Sequence, residues 1–291
     1  MNIYINKKVK NIFTTIFKIK QNEDISYNYD FKSLKGFEKG LEEWSEKRSN
    51  ELVKLRENDE YRKEFIGNIS HELKTPIFIA QSYIETLLDG SLYDEKVNKK
   101  HLRKALKSVL RLSQIVKDLE MISKLEKDAL TLEKEVFDIN FLIKDVVDSL
   151  ELSAKEENID IKVNIDINNK CFVFADEEKI EQVLINLLIN AIKYNEKSGF
   201  VKINCKDLQD RFLIEIEDNG IGIEQHKINR IFERFYRIDK DRSRKKGGTG
   251  LGLSIVKHIL DAHGQSVKVE SEYGKGTKFS FTLEKAEAKY I

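Results

Sequence analysis

The sequence predicts a multidomain chain. An all-α helical hairpin, paired with a second copy as a dimeric four-helix bundle, precedes an α/β two-layer sandwich in which helices cover one face of a mixed sheet. Three observations carry this expectation. Proline occurs once in 291 residues, at Pro76. Only Gly36, Gly40, Gly67 and Gly90 of the 14 glycines precede residue 198, so the first half has few helix breakers. The apolar spacing also changes near residue 132, from helical in the first half to strands interleaved with helices.

The elements follow in order. Leu34, Phe37, Leu41 and Trp44 keep helical spacing, and Leu52, Leu55, Ile66, Ile69 and Leu73 continue it in a shifted frame. Such a shift suggests a coiled coil with a stutter. Leu88-Asp89-Gly90-Ser91 reads as a turn, and Val97, Leu102, Leu106, Val109, Leu112, Ile115, Val116, Leu119, Ile122 and Leu125 mark a second long amphipathic helix. An αα-hairpin with so wide an apolar face is satisfied most simply by dimerising. Beyond it, strands are expected at 159–167, 200–205, 212–216, 267–269 and 277–283, and helices at 176–194 and 249–263. The charged segment 224–248 reads as a lid. The expected domains are a lysine-rich membrane-proximal or linker segment at 1–36, the coiled coil and helical hairpin at 37–128, and the sandwich at 129–291.

Composition narrows the function classes. Charged residues make up 35% of the chain, which suits long solvated helices. The 51 basic and 50 acidic residues leave a net charge of +1, so nothing global favours a nucleic-acid partner. Cys171 and Cys205 are far apart in sequence and lack metal-ligand spacing, and are expected to be small core residues in a reducing compartment. No stretch approaches the roughly 20 apolar residues of a membrane span. Lysines interleaved with Ile12, Phe13, Ile16 and Phe17 suggest an amphipathic start that packs on a partner helix or lies on a membrane surface.

Several stretches carry chemistry. In Ile66-Gly67-Asn68-Ile69-Ser70-His71-Glu72-Leu73-Lys74-Thr75-Pro76, the apolar stripe Ile66, Ile69 and Leu73 turns His71 and Glu72 outward. A carboxylate beside an imidazole can take the proton from one ring nitrogen and leave the other nucleophilic. Thr75 lies one turn on, positioned to orient water, and Pro76 loses its bond to the Glu72 carbonyl and kinks the helix beside His71. A zinc site of the HExxH kind is excluded, because Thr75 stands where the second histidine belongs.

Asn186 and Asn190 share a helix face, with Lys193 and Tyr194 just beyond. Amide oxygens suit Mg²⁺, a lysine suits phosphate, and a tyrosine suits a flat base. Asp218-Asn219-Gly220-Ile221-Gly222 follows a strand and can offer a carboxylate to an exocyclic amine. Arg234 and Arg237 lie in the lid. Gly247-Gly248-Thr249-Gly250-Leu251-Gly252-Leu253-Ser254 then runs into a helix, a phosphate-cradling arrangement that fits neither a dinucleotide fingerprint nor a Walker loop. Alone, each has an ordinary reading: a solvated His-Glu pair, helix asparagines packing on a sheet, an Asp-Asn-Gly turn, salt-bridged arginines.

Taken in this order, the stretches resemble the H, N, first glycine, F and second glycine boxes of bacterial sensor histidine kinases. Gly274-Lys275-Gly276-Thr277 is similar to their last glycine box, and the likeness spans about residues 37 to 285. The resemblance implies a homodimeric hairpin with His71 as phosphoacceptor and an ATP-binding domain of the GHKL class. Asp218 would hold adenine, and Asn190 with Asn186 would bind Mg²⁺. Lys193, Tyr194, Gly220, Gly222, Arg234, Arg237, Gly248, Thr249, Gly250, Leu251, Gly252 and Thr277 would enclose ATP. Glu72 would assist autophosphorylation, and Thr75 would help remove phosphate from a response regulator receiver domain. It further implies an upstream sensor or membrane segment, with this chain as the cytoplasmic portion of a membrane-anchored protein. Ile77 to Ala80 are more apolar than many relatives carry there.

Two other functions compete. An ATP-driven clamp of the same nucleotide fold would need a glutamate base one turn before the metal-binding asparagine, where Asn186 stands, and an amide accepts no proton from water. A phosphatase-biased or scaffold dimer with a decayed nucleotide site would have lost His71, Asn190, Asp218 or the lid glycines, and all remain.

Overall fold

Helix α1 runs from Leu34 to Leu88 and carries Pro76 in its interior. The computed structural model describes residues 34–126, 132–165, 170–196, 198–238 and 249–286. Residues 1–33 of the expected linker segment, and Gly247 and Gly248 of the glycine-rich stretch, lie outside these. The chain divides into two units after Ile66. Before that boundary α1 presents Leu52 and Leu55 to solvent.

After it, α1 ends at a turn where Gly90 takes a φ of +116°, a backbone conformation that side-chain-bearing residues avoid. Helix α2, Glu95–Glu126, returns. Ala80 and Leu87 of α1 and Ala105, Ile115 and Ile122 of α2 are buried, so the hairpin has a core. Other apolar residues of the hairpin are exposed, among them Phe78 at 63%, Leu88 at 76% and Leu106 at 58%, whereas Ile69, Leu73, Leu112 and Leu119 are half-buried. Among the described residues no helix is long and apolar enough to cross a membrane.

The sandwich contains elements the periodicity did not reveal. Strand β1 (Glu135–Asp138) pairs antiparallel with β3 (Phe172–Ala175), and helix α3 (Ile139–Glu156) follows β1. Four residues are too short to display alternation, and α3 is capped at its start by the Asp138 carboxylate, which accepts the Asn140 amide at 3.1 Å. Strands β2 (Asp160–Asn164), β4 (Phe200–Leu208), β5 (Arg211–Asp218), β6 (Lys268–Glu272) and β7 (Gly276–Glu284) form one sheet in the order β2-β4-β5-β7-β6. β2 and β4 are parallel and the other pairs antiparallel, which makes the sheet mixed.

Register positions the site. Ile203 pairs with Ile216, and Ile216 with Phe279, while Ile214 pairs with Phe281. These buried side chains share the face against which helix α4 (Glu177–Lys193) packs. At about 1.5–3 kcal/mol for each fully buried large aliphatic side chain, this layer is the main stabiliser of the sandwich. The strand alternation carries Asp218, last in β5, onto that same face, opposite Thr277. On α4 the buried stripe Ile180, Val183, Leu184, Leu187, Leu188 and Ala191 leaves Asn186, Asn190 and Lys193 on a separate face. Helix α5, Gly252–Ala262, packs beside α4.

Candidate functional site

Between the free face of α4 and the ends of β5 and β7 lies a cavity of about 380 Å³. Asn186, Asn190, Lys193 and Tyr194 line it from α4, and Asp218 and Thr277 from the sheet. Gly222, Arg237, Thr249, Gly250 and Gly252 complete the polar side, and Ile185, Ile189, Ile221 and Phe279 form apolar walls. The volume suits a drug-sized or nucleotide-sized ligand.

Asp218 is the most perturbed acid here. Burial pushes its pKa from 3.8 up to about 6, only partly opposed by the backbone amides of Gly220 and Thr277. The Gly220 amide donates to Oδ1 at 2.9 Å, which fixes the carboxylate plane. A desolvated carboxylate held this way is a strong acceptor for a ligand N–H. At the other end, the Asn186 side-chain nitrogen is buried without a hydrogen-bond partner. A Cβ on Gly252 would stand 3.2 Å from the Asn186 oxygen, so glycine preserves room beside that amide. An orphaned buried donor costs about 1–3 kcal/mol, a cost that a ligand oxygen would relieve.

The lid side depends on two left-handed residues. Gly250 has φ +78°, and a Cβ there would meet the Phe235 Cα at 2.8 Å. Phe235 itself has φ +62°, and its amide donates to the Gly250 carbonyl at 2.9 Å. The reversal at Phe235 sends Tyr236 and Arg237 to the cavity and Arg234 away from it, to within 3.3 Å of His258 Nε2 on α5. Arg234 therefore does not line the cavity, contrary to expectation. Leu251 is fully buried beneath the loop and Gly220 packs on the Tyr194 backbone, so these two shape the cavity without lining it. The expected residue Gly248 lies outside the described residues.

The hairpin site also differs in detail. His71 is exposed on α1. The Thr75 hydroxyl donates to the His71 carbonyl at 3.2 Å, a helix back-bond rather than a contact to the imidazole. Of the stripe expected to be buried there, Ile66 is 63% exposed while Ile69 and Leu73 are half-buried. Glu72 is not turned outward: its side chain is 15% exposed, with Oε2 at 3.2 Å from Arg111 and 2.9 Å from Arg237. Two further cavity residues, Gln114 and Asp118, come from α2. Asp118 accepts hydrogen bonds from Gln114 at 2.8 Å and from the Thr249 hydroxyl at 3.3 Å. Nothing local in the sequence marks either one, since each is an ordinary polar position on a helix.

Comparison with known families agrees with this geometry. Residues 61–128 match the family model described as "His Kinase A (phospho-acceptor) domain". Residues 175–287 match "Histidine kinase-, DNA gyrase B-, and HSP90-like ATPase". A protein of Staphylococcus aureus, "Sensor protein kinase WalK", is 38% identical over 237 residues, covering 80% of this chain and 56% of the relative. The chain thus spans about half of that relative's length, and 38% of others with the same name. Among solved structures, the Acinetobacter baumannii histidine kinase AdeS aligns at TM-score 0.60 with 28% identity, over 75% of this chain and 98% of that one. Histidine kinase ThkA, solved in complex with response regulator protein TrrA, also aligns at TM-score 0.60, with 27% identity over 82% of this chain and 66% of that one.

Proposed function

Because this chain belongs to the sensor histidine kinases, we propose that it uses Mg-ATP to phosphorylate its own His71 and then passes the phosphoryl group to an aspartate of a response regulator receiver domain. The observation that carries this reading is the cavity itself, with a desolvated, amide-oriented carboxylate at one end and the asparagine face of α4 and the glycine loop at the other. Asp218 accepts the exocyclic amine of adenine. Tyr194 and the isoleucine walls flank the base, and Lys193 and Arg237 face the phosphates.

Asn190 and Asn186 would hold Mg²⁺ through their amide oxygens. Among the described residues no three His, Cys, Asp or Glu side chains gather to hold a metal ion. A cation here would rest on amides, water and the ligand's own phosphates, which is the habit of Mg²⁺. Bound there, it neutralises charge on the phosphates.

One ring nitrogen of His71 attacks the γ-phosphorus, the bond to the bridging oxygen breaks and ADP departs. Glu72 takes the proton from the other nitrogen. Most of the acceleration comes from positioning and charge neutralisation. Glu72 is held by Arg111 and Arg237 as the chain stands, so this step requires Arg237 to let go. In the later phosphatase step, Thr75 would exchange its back-bond to the His71 carbonyl for a water. A second copy covers the exposed apolar stripes of the hairpin, giving a homodimer. The activity belongs in the cytoplasm, where ATP is available.

The test is incubation of the purified chain and of His71→Gln with γ-labelled ATP and Mg²⁺. Acid-labile, base-stable label on the native chain alone is expected. Nucleotide binding with no label on either protein overturns the kinase reading.

A further inference from the structure

Two hairpin carboxylates, Glu72 and Asp118, engage groups that a triphosphate would want. Glu72 holds Arg237, whose side chain is only 7% exposed, at 2.9 Å. Asp118 accepts the Thr249 hydroxyl at 3.3 Å, and that same hydroxyl accepts the Leu251 amide at 3.2 Å in the glycine-rich loop. Asp118 is 6% exposed and lines the cavity. A carboxylate in that position stands where anionic phosphate oxygens would arrive, and two negative charges in a poorly hydrated site repel strongly.

We propose that Asp118 and Glu72 are phosphate surrogates, holding Thr249 and Arg237 so that the docked hairpin and a nucleoside triphosphate compete for the same lid groups. This rests on the reading of the cavity as an ATP site and adds a regulation to it. Arrival of a triphosphate expels Asp118, and Arg237 moves from Glu72 to the phosphates. Glu72 is thereby released beside His71 only when a phosphoryl donor is in place. The contact restrains the empty enzyme and supplies a reason for its release. Asp118 is only 6% exposed, and that burial pushes its pKa above the ordinary 3.8.

The experiment measures the affinity of adenosine, ADP and a non-hydrolysable ATP analogue, with Mg²⁺, for the full chain and for Asp118→Asn and Asp118→Glu. Asparagine keeps the shape and one of the two acceptor oxygens but removes the charge. Asp118→Asn is expected to tighten the triphosphate analogue about fivefold or more, ADP by less, and adenosine not at all. Asp118→Glu, which keeps the charge, stays close to the native chain. An equal change for all three ligands, or no change, overturns the surrogate role and leaves the ATP site standing. If the native chain binds none of the three, the ATP-site reading falls and this proposal falls with it.

Discussion

Asp218 shows how burial sets chemistry at the residue scale. Its same-face neighbours on β5, Ile214 and Ile216, are buried, and the alternation that inserts them into the core carries the carboxylate in after them. Its pKa rises to about 6 because water is excluded. A raised carboxylate pKa means that the folded state binds the proton more tightly than the unfolded chain does. The contribution of Asp218 to the unliganded fold is therefore largest below 3.8 and is lost as pH rises through about 6. Ligand binding runs the other way, because the ionised carboxylate is a much stronger acceptor for the adenine amine than the neutral acid. Nucleotide affinity should fall as pH drops below about 6, with the steepest change near that value. Asp218→Asn should weaken binding roughly 10- to 100-fold at neutral pH, the worth of one charge-assisted hydrogen bond. Titration calorimetry at several pH values reads both effects, and a flat pH profile in the native chain would remove Asp218 from the base-binding role.

At the scale of elements, Asp176 ties three segments together. Its Oδ1 caps α4 by accepting the Lys179 amide at 3.1 Å, and its Oδ2 accepts the Glu133 amide ahead of β1 at 3.0 Å. Its own amide donates to Nε2 of His263, just beyond α5, at 3.1 Å. His263 Nδ1 lies 2.8 Å from the Ile259 carbonyl, which requires the proton on Nδ1 and a neutral ring. Burial, chiefly, holds the His263 pKa below its ordinary 6.5. The sign follows: the neutral ring's contribution is present above 6.5 and is lost as pH falls through the lower folded value. The His263 contribution should therefore be lost on the acid side of pH 6.5, against the gain from Asp218, so it is read as the difference in thermal unfolding between the native chain and a His263 variant. His263→Phe should flatten that acid-side loss, while costing about 1–3 kcal/mol at neutral pH because the Asp176 amide loses its acceptor. An unchanged acid slope in the variant would count against the clasp.

For the whole molecule, the open question is what covers the hairpin. Leu102, Leu106, Val109 and Val116 follow helical spacing on α2 and are all exposed, as are Ile77, Ile84 and Leu88 on α1. A contiguous apolar stripe of this size is rarely left to water. In the proposed homodimer a second copy would present the same stripe about a two-fold axis, and the four helices would share one core. Leu106→Glu combined with Val109→Glu should convert a dimer into a monomer in sedimentation experiments while nucleotide binding persists. Each change removes about 1.5–3 kcal/mol of burial from each chain and introduces a charge. A native chain that sediments as a monomer at about 100 μM would refute dimerisation through this face.

Helical and strand periodicities are local properties, and so the hairpin, α4, β4, β5 and β7 were legible in the sequence within a few residues. The residue types of the site were legible for the same reason. A turn after a strand, two asparagines one helical turn apart and a glycine run are each specified within ten residues. What remained hidden depended on contacts between distant segments. β1 and β3 are too short to show a period, and they exist because they pair with each other. Cys171 and Cys205, far apart in sequence, come within hydrogen-bonding reach, where burial pushes the Cys205 thiol up to about 12. Arg234 and Arg237 are equivalent on the page of the sequence, and only the reversal at Phe235 sends one to His258 and the other to the cavity. Asp118 and Arg111 gave no signal at all, because a polar residue on a helix acquires a role only from whatever packs against it. The sequence by itself determined the fold class, the family and the groups available for chemistry. Tertiary structure alone decided which carboxylate meets which lid residue, because that depends on how surfaces distant in sequence pack together, and no local period encodes it.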